Sequence, residues 1–346
     1  MTPTDRPAPA TATAAVPWPD AWAAALYGPS GFYRRPEGPA GHFRTASHAA
    51  PAPLARALAR LAASAGCTAV VDVGAGGGEL LAALAALPGP VEGALRLHGC
   101  DVVGRPAGLD GRVGWSAGLG TLPDEALDDA LVVGWELLDV VPCPVVEVGP
   151  DGAAHEVLVD VTGRERPGGP PGPDDAAWLA RWWPLADARP GTRAEVGRPR
   201  DALWAGLAAR CAGTPRGAVL LAVDYAHTAG ARPSAGTLAG YRGGRLVDPV
   251  PDGSCDVTAH VALDAVAAAL AAVGADVAPV VRQRDALRTL GVTGAAPLPL
   301  DAPGPVLLQA IAERSAVGEL LDPAGLGGFS WLPAGAGRPA PDLLAH

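Results

Sequence analysis

The sequence contains no lysine, so arginine carries all of its fixed positive charge. A Walker-type phosphate loop, which needs Gly-Lys-Ser/Thr, is therefore excluded. The chain has 36 acidic residues against 26 basic ones and a net charge of -10. Because affinity for nucleic-acid backbones comes from neutralising phosphates, this balance without a basic run argues against a nucleic-acid partner. An acidic cleft would instead suit a cationic substrate.

Cysteine and histidine are sparse and scattered. The five cysteines form no Cys-x-x-Cys pair, which indicates buried thiols of a reducing compartment rather than disulfides or metal ligands. Among the seven histidines, His42 and His48 come closest to each other, and they lie in a polar loop. We therefore predict no metal site.

Long hydrophobic runs are also missing. Glycine, proline or charge interrupts each apolar stretch before the length of about 18 residues that a membrane span requires. The first residues lack the basic start and apolar middle of a signal peptide, so we expect a cytoplasmic protein. With 346 residues, 49% of them hydrophobic, the chain can bury one large core with an insertion, or two domains.

The most informative stretch is residues 70–80, Val-Val-Asp-Val-Gly-Ala-Gly-Gly-Gly-Glu-Leu. Its apolar half predicts a buried parallel strand, its glycines a tight turn, and the alanine-rich residues after it a helix. Glycine suits such a turn because it tolerates backbone angles that a β-carbon forbids and lets a ligand approach the main chain.

Spacing separates the nucleotide cofactors that use such a turn. Gly74 and Gly76 fit the dinucleotide pattern Gly-x-Gly-x-x-Gly, but Glu79 replaces its third glycine. A carboxylate there would repel a pyrophosphate at the helix N-terminus. The pattern that remains is Asp-x-Gly-x-Gly-x-Gly beginning at Asp72, which is typical of class I S-adenosylmethionine-dependent methyltransferases. Their cofactor carries a positive sulfonium and no phosphate.

A second acid is expected at the end of the next strand, where a carboxylate can accept both ribose hydroxyls. The segment 95–101 supplies Asp101, 29 residues after Asp72. A chance glycine-rich loop is the alternative, since the chain has 46 glycines. Strand, glycines, helix and second acid together favour a site for S-adenosylmethionine.

Strands and helices alternate along the chain, which predicts an α/β fold with a Rossmann-like, doubly wound parallel sheet of the class I methyltransferase type. We expect a first helix capped by Asp20, a Pro-Gly linker over 164–175, a strand over 276–281 and a final edge strand over 329–332. The predicted parallel strands are 69–73, 95–101, 112–116, 130–134 and 218–224.

An insertion, mostly helical, is expected to interrupt this sheet. It contains Trp178 and Trp182 on one helix face, an arrangement that is more often core than binding platform. Alternatively, the insertion closes over the active-site mouth. We divide the chain into a disordered tail (1–16), an N-terminal cap and loop over the cofactor (17–50), a cofactor-binding core (51–150), an insertion or substrate lid (151–215), the C-terminal part of the core (216–332) and a tail (333–346).

Two acids, Glu136 and Asp139, follow the fourth predicted strand. Ligands of doubly wound sheets bind at the carboxyl ends of the strands, where the strand order reverses, so we expect both acids at the mouth that also holds the cofactor. Carboxylates there could orient an amine or guanidinium and accept the proton lost on methyl transfer. A helix-capping role is the alternative, and it fits Glu136 better than Asp139.

The order of motifs resembles the MidA-like methyltransferases, a family that includes the mitochondrial complex I assembly factor that methylates a protein arginine. The resemblance runs from about residue 27 to residue 332. Its pieces are Gly-Pro-Ser-Gly-Phe-Tyr (28–33), Gly-His-Phe-Arg-Thr (41–45), the glycine turn with its acids (72–80), Trp-Glu-Leu-Leu-Asp-Val-Val-Pro (135–142), Asp-Tyr-Ala-His (224–227), Thr-Leu-Ala-Gly-Tyr-Arg (237–242) and Gly-Ser-Cys-Asp-Val-Thr-Ala-His-Val (253–261).

The resemblance implies a role for each matching residue. Glu136, Asp139 and Asp224 would face the substrate and carry the catalysis. The cofactor pocket would be lined by Gly41, Phe43, Thr45, Asp72, Gly74, Gly76, Asp101 and Glu136. The sequence departs from the family's pattern where His42 and His48 replace acids, Trp135 replaces Asn or His, Ala226 replaces a glycine and Gly243 falls in place of a basic cluster.

The leading hypothesis is a methyltransferase that moves the methyl group of S-adenosylmethionine to a nitrogen of a protein arginine or a related cationic group. A small-molecule O- or N-methyltransferase with an apolar tryptophan lid is the second hypothesis. The third is an assembly protein that binds the cofactor without turnover. Because one fold hosts many chemistries, the acceptor is a separate question from the fold.

Overall fold

The computed structural model describes residues 14–35, 46–87, 95–293, 301 and 303–344. The helices of these ranges are α1 (Trp18–Tyr27), α2 (Ala46–Ala49), α3 (Pro51–Ser64), α4 (Glu79–Ala85), α5 (Asp124–Leu127), α6 (Pro173–Trp182), α7 (Arg198–Ala212), α8 (Leu263–Ala272), α9 (Gln283–Thr289) and α10 (Gly304–Leu321). In none of these helices is an apolar stretch long enough to cross a membrane.

The strands of the described ranges build one large sheet and three small ones. They are β1 (Val16–Pro17), β2 (Ala69–Val73), β3 (Arg96–Asp101), β4 (Gly114–Ala117), β5 (Ala130–Trp135), β6 (Val145–Val148), β7 (Ala154–Val159), β8 (Glu165–Pro167), β9 (Arg193–Glu195), β10 (Ala218–Asp224), β11 (Ala226–His227), β12 (Ala239–Arg242), β13 (Arg245–Val247), β14 (Asp256–Thr258), β15 (Val261–Ala262), β16 (Asp276–Val277), β17 (Val281–Arg282) and β18 (Ser330–Ala336).

The large sheet has the strand order β16-β18-β10-β5-β2-β3-β4, with β17 also paired to β18. The five strands from β10 to β4 run parallel to one another, and β18 runs antiparallel to β10. From β2 the chain adds β3 and β4 on one side, and then β5 and β10 on the other. The order therefore reverses between β2 and β5, which confirms the predicted doubly wound sheet.

Helices cover both faces of this sheet because the side chains of its buried strands alternate between two cores. Val70 of β2 points into one core with α3, α4, α9 and α10, whereas Val71 points into the other with α5, α7 and α8. Helix α3 forms because Leu54, Leu58 and Leu61 recur at helical spacing and are buried against the sheet.

A second sheet, with the order β1-β7-β6-β9 and β8 beside β7, packs outside the large one. Helix α1 covers one of its faces, where the indole N–H of Trp22 donates to the main-chain oxygen of Val257 at 2.7 Å. On the other face Trp178 and Trp183 are buried with Val146. Trp178 and Trp183 are therefore core residues, and Trp182, which was predicted on the same helix face as Trp178, is partly buried against the same core.

Several sequence predictions require correction. Helix α1 begins at Trp18 with Asp20 in its first turn, so Asp20 does not cap it. The predicted linker contains β8, which pairs with β7. The strand expected over 276–281 is two short strands, because Pro279 lies between them and has no N–H to donate.

The last strand differs most from its prediction. β18 lies between β10 and β16 rather than at the sheet edge, and it extends to Ala336, so residues 333–336 are not part of a tail. Its residues are buried throughout because strands flank it on both sides. Of the predicted N-terminal tail, residues 1–13 lie outside the described ranges.

Candidate functional site

Acidic residues occupy the carboxyl ends of four neighbouring parallel strands. Asp72 is the last residue but one of β2, Asp101 ends β3, Glu136 directly follows β5, and Asp224 ends β10. Because β2 and β5 flank the point where the strand order reverses, these side chains converge at the crevice that doubly wound sheets use for ligands.

The glycine turn after β2 has the backbone shape that its sequence predicts. Gly74, Gly76 and Gly78 all have positive φ angles, of 79°, 53° and 76°. A β-carbon on Gly76 would meet no atom within 4 Å, so the φ angle demands this glycine and the space beside it is open. The Gly76 N–H donates to Asp101 Oδ2 at 2.8 Å, which ties the turn to the end of β3.

Asp101 is oriented by its main-chain neighbours. Its Oδ1 accepts a second hydrogen bond, from the Val103 N–H at 2.9 Å. Each oxygen keeps a further lone pair, and the residue is only partly buried. Burial nevertheless raises the pKa of Asp101, against the hydrogen bonds that lower it. The carboxylate is thus a fixed acceptor that a pair of hydroxyl donors could reach.

Asp72 sits deeper, with 4% of its surface exposed. Within the described ranges no group donates a hydrogen bond to its side chain. Burial first, and then the charges of Asp101 and Glu79, raise its pKa to about 7. A buried carboxyl beside two other acids is stabilised by a positively charged or hydrogen-bonding ligand.

Glu79 begins α4, and its carboxylate meets a histidine. His48 Nε2 of α2 lies 3.1 Å from Glu79 Oε1. Burial alone would raise the pKa of Glu79, but the hydrogen bond with His48 and the main-chain N–H groups of Glu79 and Gly77 together outweigh burial, and the pKa is lowered. This contact docks α2, which follows residues 36–45, onto the start of α4.

Glu136 has an unusual backbone for its residue type, with a φ of 51°. Its N–H donates to the Val223 oxygen of β10 at 2.8 Å, and its Oε1 accepts from the Ala46 N–H at 3.0 Å. Burial raises its pKa to about 8. Strained backbone of this kind concentrates at functional sites, and here it accompanies a half-buried carboxyl that contacts the Ala46 N–H of α2.

Asp224 and Asp139 are buried in contact with each other's segment. Asp224 is 0% exposed, and its Oδ2 accepts from the Leu138 and Asp139 N–H groups at 2.9 and 3.1 Å. Burial first, and the charge of Asp139 second, raise the pKa of Asp224 well above its usual value. Burial also raises the pKa of Asp139, to about 6.

The Asp139 side chain itself lacks a complete set of partners. Its Oδ1 is shielded from solvent and has no hydrogen-bond partner among the described residues. Its main-chain oxygen, in contrast, accepts from the Ala259 N–H at 3.0 Å. An unsatisfied buried carboxylate oxygen is costly, and such atoms are found where a ligand or proton completes them.

Asp256 of β14 is a further buried acid that the sequence analysis did not select. Tyr33 Oη donates toward both of its oxygens at 3.1 Å each. Burial and the charge of Asp139 raise its pKa well above the usual value. The alternation around it, with buried Cys255 and Val257 on either side, could have indicated a short buried strand carrying an acid.

All four tyrosines of the chain surround these acids. Tyr27 stacks on Tyr33 with ring centroids 5.6 Å apart, and its hydroxyl donates to the Val140 oxygen at 2.8 Å. Tyr225 follows Asp224, and Tyr241 is the register partner of Asp256. Burial raises the pKa of every one of them, and the charge of Asp139 adds to the shift in each.

The structure brings together most of the residues that the sequence selected. Asp72, Gly74, Gly76 and Asp101 share one side of the crevice, with Glu136 next to them. Asp139 and Asp224 lie behind Glu136, beneath the surface. The predicted Gly41, Phe43 and Thr45 lie outside the described residues.

A metal site finds no support in this part of the chain. Within the ranges that the structure covers, no three His, Cys, Asp or Glu side chains are arranged to hold an ion. The residues do fit an adenosyl cofactor with a positive centre and no phosphate. The observations for this are the open space at Gly76, the fixed acceptor Asp101 and the buried, donor-less Asp72.

A comparison with protein families finds one match. The model of a family described as "Putative S-adenosyl-L-methionine-dependent methyltransferase" matches residues 94–281, more than half of the chain. The sequence matches no curated protein.

Two crystal structures of proteins from Burkholderia thailandensis are similar to the chain. One belongs to a protein described as a "likely methyl transferase" and bound to S-adenosyl-homocysteine. Its TM-score is 0.74 and its identity 25%, and the match covers 96% of this chain and 91% of that one. The other, a native structure of an uncharacterized protein of the same superfamily, has a TM-score of 0.70 and 26% identity, with 93% and 88% covered.

Proposed function

The chain belongs to this family of S-adenosyl-L-methionine-dependent methyltransferases, and we propose that it transfers the methyl group to a nitrogen of a cationic acceptor, most simply an arginine side chain of a protein. The family agrees with the resemblance that the motifs carry. S-adenosyl-L-methionine is the cofactor, and when bound it supplies a methyl group on a positively charged sulfur.

We assign cofactor binding to the turn between β2 and α4. Asp101 would accept the ribose hydroxyls, because Gly76 and Val103 already fix its carboxylate. Asp72, Gly74 and the open main chain at Gly76 would meet the methionine end. The negative charge of Asp72 would attract the positive charge of the cofactor, and this attraction lowers the free-energy cost of burying the carboxylate.

The observation that carries the acceptor class is the set of acids beside this turn. Glu136 is half-buried at the crevice, and Asp139, Asp224 and Asp256 are buried behind it. A cluster of this charge disfavours an anionic acceptor and favours a guanidinium or amine. A guanidinium suits it best, because its planar N–H groups pair with a carboxylate through two bonds.

Methyl transfer requires mainly that the protein position the acceptor nitrogen and supply a negative charge beside it. Glu136 would orient the acceptor nitrogen for in-line attack and take up the proton that nitrogen loses. Because burial raises the pKa of Glu136 to about 8, its charged form needs a nearby cation at neutral pH. The acceptor would provide that cation, so a neutral acceptor would leave the base protonated.

We assign Asp224 a positioning role rather than contact with the acceptor. Its carboxylate is fully buried and holds the N–H groups of Leu138 and Asp139. The small-molecule hypothesis, in turn, required an exposed tryptophan lid. Trp178 and Trp183 are packed in a core instead, so nothing in their placement favours it.

The test is incorporation of label from methyl-tritiated S-adenosyl-L-methionine into an extract of the host cell, followed by acid hydrolysis and amino-acid analysis. Label in methylarginine that Glu136→Gln abolishes supports the proposal. The matched control is Glu125→Gln, which changes an exposed acid of α5 and should leave labelling intact. Two results would contradict the proposal. One is label found only in small molecules, and the other is no incorporation of label by an enzyme that still binds S-adenosyl-homocysteine.

A further inference from the structure

Arg200, in the first turn of α7, is a buried cation that the sequence analysis left unassigned. It is 1% exposed. The ring of Trp22 lies under its guanidinium, with 5.7 Å between the guanidinium carbon and the ring centroid. Arginine is rarely buried this completely, since removing the charge from water costs several kcal/mol unless the surroundings compensate.

The guanidinium donates hydrogen bonds to main-chain oxygens. Nη2 donates to the Asp139 oxygen at 2.9 Å, Nε to the Val141 oxygen at 3.2 Å and Nη1 to the His260 oxygen at 2.9 Å. Two of these oxygens belong to the segment 136–141 that carries Glu136 and Asp139. Arg200 therefore fixes this segment through its main-chain oxygens, whereas Asp224 holds its N–H groups.

Hydrogen bonds from several elements fix the main chain of the segment 136–141. Asp224 receives the N–H groups of residues 138 and 139, Tyr27 donates to the Val140 oxygen and Ala259 donates to the Asp139 oxygen. Such a set of contacts keeps the left-handed backbone of Glu136 in place, because an isolated loop would relax it. Arg200 is the member of this set that carries a positive charge.

We propose that Arg200 is a positioning residue for methyl transfer, which fixes the segment 136–141 through two main-chain bonds, ties it to His260 through a third, and supplies the positive charge that faces Asp139 and Asp224. The inference rests on the proposed function for the name of the reaction. Without this charge, the buried Asp139 carboxyl would face Asp224 with no positive charge beside it, which disfavours its ionised form.

The charge pattern agrees with this role. Burial raises the pKa of Asp139 and of Asp224, and in both the charge of Arg200 lowers it. The titratable groups that face Asp139 come from several elements: Glu136 of its own segment, Asp224 of β10, Asp256 of β14, Arg200 of α7, and the hydroxyls of Tyr27, Tyr33, Tyr225 and Tyr241. Of these, Arg200 brings the positive charge.

The experiment follows the Asp139 carboxyl by ¹³C NMR of aspartate-labelled protein over a pH titration, with the resonance identified by its loss in Asp139→Asn. We expect a midpoint near pH 6 in the natural protein. Arg200→Met should raise it by about 1 to 3 pH units. Because the titration needs neither cofactor nor acceptor, its failure is separate from a failure of the proposed function.

The matched control is Arg210→Met. Arg210 lies on the same helix and also donates to main-chain oxygens, those of Leu119 and Leu122, but its carboxylate partner is Asp124 of α5 rather than Asp139 or Asp224. We expect this variant to lose stability without moving the Asp139 midpoint. An unchanged midpoint in folded Arg200→Met, or an equal shift in both variants, would overturn the proposal.

A second variant covers the case in which Arg200→Met does not fold. Arg200→Lys keeps the charge but lacks the planar fork that reaches three oxygens. The Asp139 midpoint should then stay near that of the natural protein, while hydrogen exchange of the Ala259 amide speeds up by about tenfold or more. Unchanged exchange, or a midpoint raised as far as loss of the charge predicts, would overturn the proposal.

Discussion

The imidazole of His48 and the carboxylate of Glu79 form a pair, with Nε2 and Oε1 3.1 Å apart. Each residue is a departure when the sequence is considered alone, since Glu79 breaks the dinucleotide pattern and His48 replaces an acid of the MidA-like pattern. Together they join α2 to the N-terminus of α4, where a negative charge is favourable. The two departures compensate each other.

Placing an acid at position 48 should therefore weaken the cofactor site. In His48→Glu two carboxylates would meet at the start of α4, and we expect a loss of about 1 kcal/mol in stability and several-fold weaker binding of S-adenosyl-homocysteine. Thermal unfolding and calorimetry measure the two effects. The control His155→Glu disrupts the His155–Asp151 pair, 3.0 Å apart in an exposed hairpin, and should leave cofactor affinity unchanged. Equal affinity losses in both variants would contradict this account.

Asp72 makes the stability of the ligand-free protein depend on pH. Burial and the charges of Asp101 and Glu79 raise its pKa from 3.8 to about 7, so between these values the folded protein holds a proton that the unfolded chain releases. Stability from this group is present below about pH 4 and is lost as the pH rises through 7.

Asp72→Asn should remove that dependence. The amide cannot ionise, so urea unfolding at pH 5 and pH 8 should show a smaller difference than in the natural protein, with the variant more stable at pH 8. Part of the slope remains, because the pKa of Glu136 is also raised, to about 8. The control Asp110→Asn replaces an exposed acid whose pKa is lowered to about 2 by Arg112, and it should leave the slope between pH 5 and 8 unchanged. If the unfolding free energy of Asp72→Asn changes between pH 5 and pH 8 as much as that of the natural protein, the prediction is contradicted.

The regular part of the fold followed from local patterns. β2 and β10 have the bounds that hydrophobic periodicity and glycine punctuation predict, because each is buried over its whole length. The position of β18 did not follow. Its run of buried residues resembles any short apolar strand, and only the pairing with β10 places it inside the sheet.

Asp224 distinguishes a positioning role from a catalytic one. Asn at this position retains an oxygen for the Leu138 and Asp139 N–H groups, whereas Ala leaves both unsatisfied in a buried place. We expect Asp224→Ala to lose about 2 to 4 kcal/mol of stability and most of the methylation activity, and Asp224→Asn to keep a large part of both. Urea unfolding and the labelling assay measure these. A catalytic carboxylate would instead give an inactive, fully stable Asn variant.

The location of the site could be predicted from the sequence, but several of its residues could not. Asp72, Asp101 and Glu136 end strands, so topology alone brings them together. Asp256 and Arg200 come from a three-residue strand and the start of a helix, 32 residues after Asp224 and 61 residues after Asp139, and no local pattern links them to the crevice. The left-handed backbone of Glu136 was also unexpected, because it depends on the Val223 and Ala46 contacts.

The central claim is that the turn after β2 and the acid that ends β3 bind S-adenosyl-L-methionine. Calorimetric titration with S-adenosyl-homocysteine tests it on the natural protein, on Asp101→Ala and on the control Asp110→Ala. The account predicts binding by the natural protein and the control, and at least about tenfold weaker binding by Asp101→Ala, since charged hydrogen bonds to the ribose contribute about 1.5 to 3 kcal/mol each. Equal affinity in all three folded proteins, or no binding by any, would contradict it.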